Sequence, residues 1–199
     1  MKTYKDYIIT VKLNLDLVAM QNSCYKMKSI IDENFKEKIL AVEYTEDEGK
    51  LSPLTTQGFE HYNLLMYPFD GFHSLYFEIQ KLFRQCNQND ETYYIRCWLN
   101  IYEKGNFVDW HDHFPPKCES WHGFFCVDCE PSVTTYQLPN ISESVDVVSE
   151  NNLLVISQSN GDRHRTWPWE YSDRDRITIA FDIVSAKCTG EFLNHWIPI

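Results

Sequence analysis

The nine residues VDWHDHFPP (108–116) set His111 and His113 two positions apart, with Asp112 between them, in a chain that holds only seven histidines. In an extended strand, residues i and i+2 project to the same side. Both imidazoles can then reach one ion while Asp112 points away. Neutral imidazole is a ligand for iron, zinc, copper and nickel. A third histidine, His164, lies 51 positions beyond His113 in NGDRHRTWPW. It follows the apolar run NLLVIS and an Asn160-Gly161 turn signal, and a histidine placed after such a turn can be carried back over the mouth of a β structure. The plain alternatives are two polar residues at a strand end and an ordinary loop histidine.

Twelve residues after His164, RITIAFDI (176–183) alternates cleanly. Ile177, Ile179, Phe181 and Ile183 share one face, and Arg176, Thr178, Ala180 and Asp182 share the other. A guanidinium beside a hydroxyl makes a receptor for a small carboxylate, because arginine donates two parallel hydrogen bonds. The competing reading of Arg176 is a solvent-facing charge at a strand start, and Arg174 is a rival for any specific role.

These residues need elements to hold them. YKDYIITVK (4–12) reads as a strand, and residues 16–35 as a helix carrying Leu17, Met20, Met27, Ile30 and Ile31. EDEGKLSPLTTQG (46–58) reads as a loop. Residues 70–86 carry Phe72, Leu75, Tyr76, Ile79, Leu82 and Phe83 at spacings of three and four, with Asp70 as the expected N-cap. Beyond NQNDE (87–91) the texture turns to β. Strands are expected at 92–102, 122–128, 132–138, 145–149, 152–157 and 176–183. Many short strands with turns between them suggest a sandwich or barrel.

The 199 residues, 43% hydrophobic and 15% aromatic, are enough for one domain with a substantial core. A formal charge of −11 disfavours nucleic acid as a partner. No apolar run is long enough to span a membrane, and the N-terminal residues lack the apolar centre of a signal peptide. The seven cysteines read as reduced thiols of a cytoplasmic protein. Asn140-Ile-Ser142 matches a glycosylation sequon, which carries no meaning in that setting.

The order His-x-His, then a distal His, then Arg-x-Thr resembles the 2-oxoglutarate- and iron(II)-dependent oxygenases. The lead-in WLNIYEKGNFVDWHDHFPP is similar to a prolyl-hydroxylase-like branch, in which a Tyr-x-x-Gly segment, here Tyr102 to Gly105, precedes the first metal histidine. WHGFFCVDCEP resembles the strand that follows in that branch. The resemblance covers roughly residues 92–184. It implies a mainly β fold, a double-stranded β-helix (a cupin-like jelly roll), with N-terminal helices. The division would be mixed α/β support over 1–91, a β-helix core over 92–184 and a tail over 185–199, all one oxygenase domain.

The resemblance further implies Fe(II) on His111, His113 and His164, with Arg176 and Thr178 holding the distal carboxylate of 2-oxoglutarate. Tyr102 would lend that carboxylate a hydroxyl, although a core tyrosine is an equal reading. O2 would be the second cosubstrate and a C–H bond of a peptide, protein or other small substrate the target, with release of succinate and CO2. Trp98, Asn100, Trp110, Trp121 and Trp167 are candidates to line the pocket. The chain departs from the usual two-histidine, one-carboxylate triad. Either three histidines hold the metal, as strand alternation favours, or irregular backbone near Pro115-Pro116 turns Asp112 inward instead of His113. Rival readings are a cupin-like dioxygenase that needs no Arg176-x-Thr178, a non-enzymatic β-sandwich binding module, and a zinc site at Cys126 and Cys129 with Cys118 and His122 nearby.

Overall fold

A computed structural model of the protein describes residues 7–41, 63–114, 118–159, 161–188 and 195–199. The expected loop at 46–58 and the Pro115-Pro116 segment lie outside them, as does Asn160. Among these residues there are ten strands and two long helices: β1 (Ile8–Lys12), α1 (Leu17–Ala41), α2 (Phe72–Cys86), β2 (Tyr93–Tyr102), β3 (Val108–His111), β4 (Ser120–Asp128), β5 (Ser132–Gln137), β6 (Val145–Ser149), β7 (Leu153–Gln158), β8 (Arg163–Thr166), β9 (Arg176–Ser185) and β10 (Ile197–Pro198). A 3-10 turn at Leu64–Met66 precedes α2. Among the described residues no helix is long and apolar enough to cross a membrane.

The strands form two antiparallel sheets. The larger runs β1-β7-β4-β9-β2-β10 and the smaller β3-β8-β5-β6. β9 lies between β4 and β2 in the larger sheet, and all ten of its residues are buried. Its alternation divides the interior. Ile177, Ile179, Phe181 and Ile183 pack with α1 and α2 in one apolar cluster. Ala180, on the opposite face, joins Trp98, Phe124 and Val155 against Tyr136, Leu138 and Val147 of the smaller sheet and its border. The protein is therefore mainly β, two facing sheets with helices covering the outer face of the larger one.

The helices dock by the expected stripes. In α1, Met20, Cys24, Met27 and Ile31 are buried, and the Asp16 carboxylate caps its start by accepting from the Ala19 N–H at 3.0 Å. Burial of Phe72, Leu75, Ile79, Leu82 and Phe83 holds α2. Its N-cap is Gly71, not Asp70. Gly71 takes φ +89°, a backbone state that glycine adopts without steric cost, and a Cβ there would lie 2.7 Å from Cε of Met20. Three strands were not apparent in the sequence: β3, β8 and the two-residue β10. β3 and β8 are four residues each and partly polar, so neither shows a clear alternation.

Gly123 of β4 sits where two strands and an aromatic ring meet. A Cβ at this position would lie 2.1 Å from the Val155 carbonyl oxygen and 2.5 Å from Cζ of Phe181. Backbone cannot yield as a flexible side chain can. Gly123→Ala should therefore destabilise the protein by about 3 kcal/mol or more, at or above the upper end of overpacking costs. Urea unfolding measures this; a loss below about 1 kcal/mol would show that β7 is free to shift.

Candidate metal centre and carboxylate pocket

His111 ends β3, and His164 stands opposite it on β8 in the antiparallel register. His113 follows two residues beyond the end of β3. The three imidazoles converge, with one ligand atom from each lying within 4.8 Å of the others. Asp112 is exposed and belongs to no such group. Ring centroids are 4.2 Å apart for His111 and His164, 5.3 Å for His111 and His113, and 5.2 Å for His113 and His164.

Two of the rings are oriented by what one of their nitrogens meets. Nδ1 of His111 donates to the Asp109 carbonyl at 2.8 Å, leaving Nε2 to carry the lone pair. Nδ1 of His113 lies 2.7 Å from Oδ1 of Asp182. A nitrogen that close to a carboxylate oxygen carries the proton, so Nε2 is the free ligand atom. That Nε2 and Nδ1 of His164 are buried with no hydrogen-bond partner among the described residues. Buried polar atoms are rarely left so, and two unpartnered ring nitrogens in one cluster suit a cation.

The electrostatics agree with a cation site. Burial, then the charge of His113, holds His111 down to about 4. Burial, then His111, drives His164 well below the usual histidine range. Burial also works on His113, but the charge and proximity of Asp182 outweigh it and raise this ring. Asp182 is itself kept low: burial would raise it, and His113 and Arg96 reverse that. Arg96 reaches the second oxygen of Asp182 at 3.4 Å.

Arg176 and Thr178 line the same pocket as the three histidines, with Trp98, Asn100 and Tyr102. Arg176 is only 2% exposed. Its Nε donates to Ser132 Oγ at 3.0 Å, and its guanidinium lies 5.2 Å from the centre of the Tyr102 ring. Among the described residues it forms no ion pair with a carboxylate. A buried cation without a counter-charge is costly, and this one faces a cavity. Tyr102 offers its ring to Arg176, while its hydroxyl shares a hydrogen bond with Thr166.

Other candidates lie elsewhere. Trp121 packs in the helix-side core, edge-on to Phe83. Trp110 and Trp167 do not line the pocket; Arg165 stands over both rings, at 4.8 Å and 4.1 Å. Cys126 and Cys129 are buried between the sheets and hydrogen-bond to each other. Neither appears in a group of described residues that could hold an ion. Sequence reasoning overlooked Asp162, named His122 only beside a cysteine zinc site, and gave Asp182 a place on the face of Arg176 but no role. Asp182 shares the alternating face of Arg176 and Thr178, and that was the signal for it.

No protein-family model and no curated protein sequence matches the chain. Solved structures do. A prolyl hydroxylase from Trichoplax adhaerens, in complex with a hypoxia-inducible-factor peptide fragment, superposes with TM-score 0.64 at 11% identity over 92% of this chain and 86% of its own. AviO1 of Streptomyces viridochromogenes gives 0.61 at 13% identity, over 91% and 90%. The viral collagen prolyl hydroxylase of Paramecium bursaria Chlorella virus-1, in complex with 2-oxoglutarate, gives 0.51 at 12% identity, over 90% and 97%. The chain thus shares the fold of these proteins.

Two outcomes follow from the charge arrangement. Asp182→Ala leaves Arg96 and the buried His113 without the carboxylate that meets them both, and should cost about 3–5 kcal/mol in urea unfolding; a loss under about 1 kcal/mol would show that the pair is not coupled. The second concerns pH. The unfolded chain protonates His111 near 6.5, the folded one only near about 4. Between those values the unfolded state binds more protons, so this ring lowers stability as pH falls. In thermal melts with chelator present, wild-type protein should lose more stability than His111→Ala from about pH 6.5 to about pH 4. Superimposable profiles would show that His111 is not held neutral.

Proposed function

We propose that this protein is a 2-oxoglutarate- and Fe(II)-dependent dioxygenase that hydroxylates a C–H bond and releases succinate and CO2. The observation that carries the reading is a single pocket with three converging imidazoles on one side and, on the other, a buried guanidinium that pairs with no carboxylate among the described residues. A keto-diacid fits both ends: its keto-acid end chelates a metal and its distal carboxylate neutralises an arginine. A cupin-like dioxygenase that needs no diacid would leave Arg176 unexplained.

His111, His113 and His164 would hold Fe(II), and the two unpartnered ring nitrogens fit that role. When bound, the iron supplies O2 activation and the oxidative decarboxylation of 2-oxoglutarate. The chain's own residues do the rest. Asp182 keeps the proton on Nδ1 of His113 and so aims Nε2 into the pocket. Arg176 takes the distal carboxylate, in a bidentate geometry that lysine could not match, and Thr178 beside it adds a hydroxyl. The face of Tyr102 holds the guanidinium in place. Trp98 and Phe124 wall the pocket with apolar surface that limits water near the reacting carbon.

The peptide in the Trichoplax complex and the 2-oxoglutarate in the viral one support the same reading for this chain, with a peptide or protein side chain as its substrate class.

The test begins without oxygen. Fe(II) and 2-oxoglutarate together should produce the weak visible absorption of the chelate, and admitting O2 should then yield succinate. Arg176→Ala should weaken 2-oxoglutarate binding about a hundredfold or more, as expected for a lost charge-assisted bidentate pair, while Fe(II) affinity stays nearly unchanged. His164→Ala should abolish tight Fe(II) binding. No absorption band and no succinate from the wild-type protein, or equal loss of metal and diacid binding in Arg176→Ala, would end this reading.

A further inference from the structure

Behind the three-histidine set lies a second group with metal-binding chemistry. His122 of β4, Asp162 of the turn before β8, and His164 place one ligand atom each within 4.8 Å of one another. All three are buried, with exposures of 2%, 3% and 8%. The rings of His122 and His164 are nearly parallel, 7° apart, with centroids at 4.8 Å. Nε2 of His122 lies 2.6 Å from Oδ2 of Asp162, and Ser157 Oγ donates to the same oxygen at 3.2 Å. A carboxylate therefore stands beside two imidazoles, one of which has a buried nitrogen without a hydrogen-bond partner among the described residues.

Two histidines and one carboxylate form a ligand set that divalent transition metals accept, and the pocket-facing set has no carboxylate. The two groups differ in access. His164 lines the pocket of Arg176, whereas His122 and Asp162 do not. An ion held by the second group is shut off from that pocket, the condition of a closed, structural type of site. Zinc suits it, since zinc takes nitrogen and oxygen ligands in tetrahedral geometry, and the Ser157 hydroxyl stands beside Asp162. The ion replaces the proton held between His122 and Asp162, which passes to the other nitrogen of the same ring. His122 and Asp162 must part to about 3.3 Å, the separation set by tetrahedral bonds of about 2.0–2.1 Å.

His164 belongs to both groups, and a neutral imidazole has one lone pair to give. We propose that His122, Asp162 and His164 form a second, closed seat for a divalent cation, zinc by its ligand set, which competes with the pocket-facing histidines for His164. Zinc in this seat withdraws His164 from the pocket. The inference goes beyond the dioxygenase reading and shares only His164 with it.

The test strips full-length protein with chelator, equilibrates it with Zn(II) by dialysis and counts the metal by mass spectrometry. His111→Ala/His113→Ala removes the pocket-facing set and should retain about one zinc per chain. Adding Asp162→Asn should remove that zinc, and so should His164→Ala alone. Should the double variant fail to fold by circular dichroism, His111→Ala alone, at a ring that is only partly buried, supports the same comparison with and without Asp162→Asn. A folded variant that binds no more zinc than its Asp162→Asn derivative overturns the seat. Zinc retention that depends on Asp162, in a protein that makes no succinate, upholds the seat and ends only the dioxygenase reading.

Discussion

The contact between Asp182 and His113 holds the site in its geometry. A carboxylate in the middle of a buried strand is costly unless opposite charge meets it. Here Nδ1 of His113 comes within 2.7 Å, and Arg96 approaches from β2, which pairs Arg96 with Asp182 in register. The compensation runs both ways. Asp182 stays ionised because it is paired, and His113 is fixed with its free nitrogen aimed at His111 and His164 because Asp182 occupies the other. His113 lies past the end of β3, where no ladder fixes it, and the Asp182 contact takes the place of a strand's register.

The larger sheet serves two opposed environments, and β9 shows how. One face must be aliphatic to cover the helices, and it carries Ile177, Ile179, Phe181 and Ile183. The other faces the smaller sheet, where it presents a guanidinium, a hydroxyl, a methyl group and a carboxylate in turn. The small Ala180 leaves room there and lines the pocket. A large side chain in its place would fill part of the space between Arg176 and the histidines.

The charge balance inside the pocket is uneven by design. Burial keeps His111 and His164 neutral at ordinary pH, and His122 is likewise lowered, by burial and then by His113. Neutral rings can accept a cation. Arg176 forms no ion pair with a carboxylate among the described residues. The cavity thus has a cluster of imidazoles on one wall and a buried guanidinium on the other.

What the sequence determined by itself was everything that rests on short-range periodicity. The two helices, the long strands β2, β4 and β9, and the two faces of RITIAFDI follow from spacings of 3.6 and 2. The shared direction of Arg176, Thr178 and Asp182 was legible for the same reason. Tertiary structure alone decided which histidines meet. His111 and His164 are brought together by the pairing of β3 with β8, strands too short and polar to signal themselves, and His122 enters from the other sheet. The burial of Arg176 was also hidden, because the closing of one sheet over the other, and not the residue's own neighbours in the chain, removes it from water. Contacts between residues far apart in the chain depend on how sheets stack, and a local pattern carries no record of that.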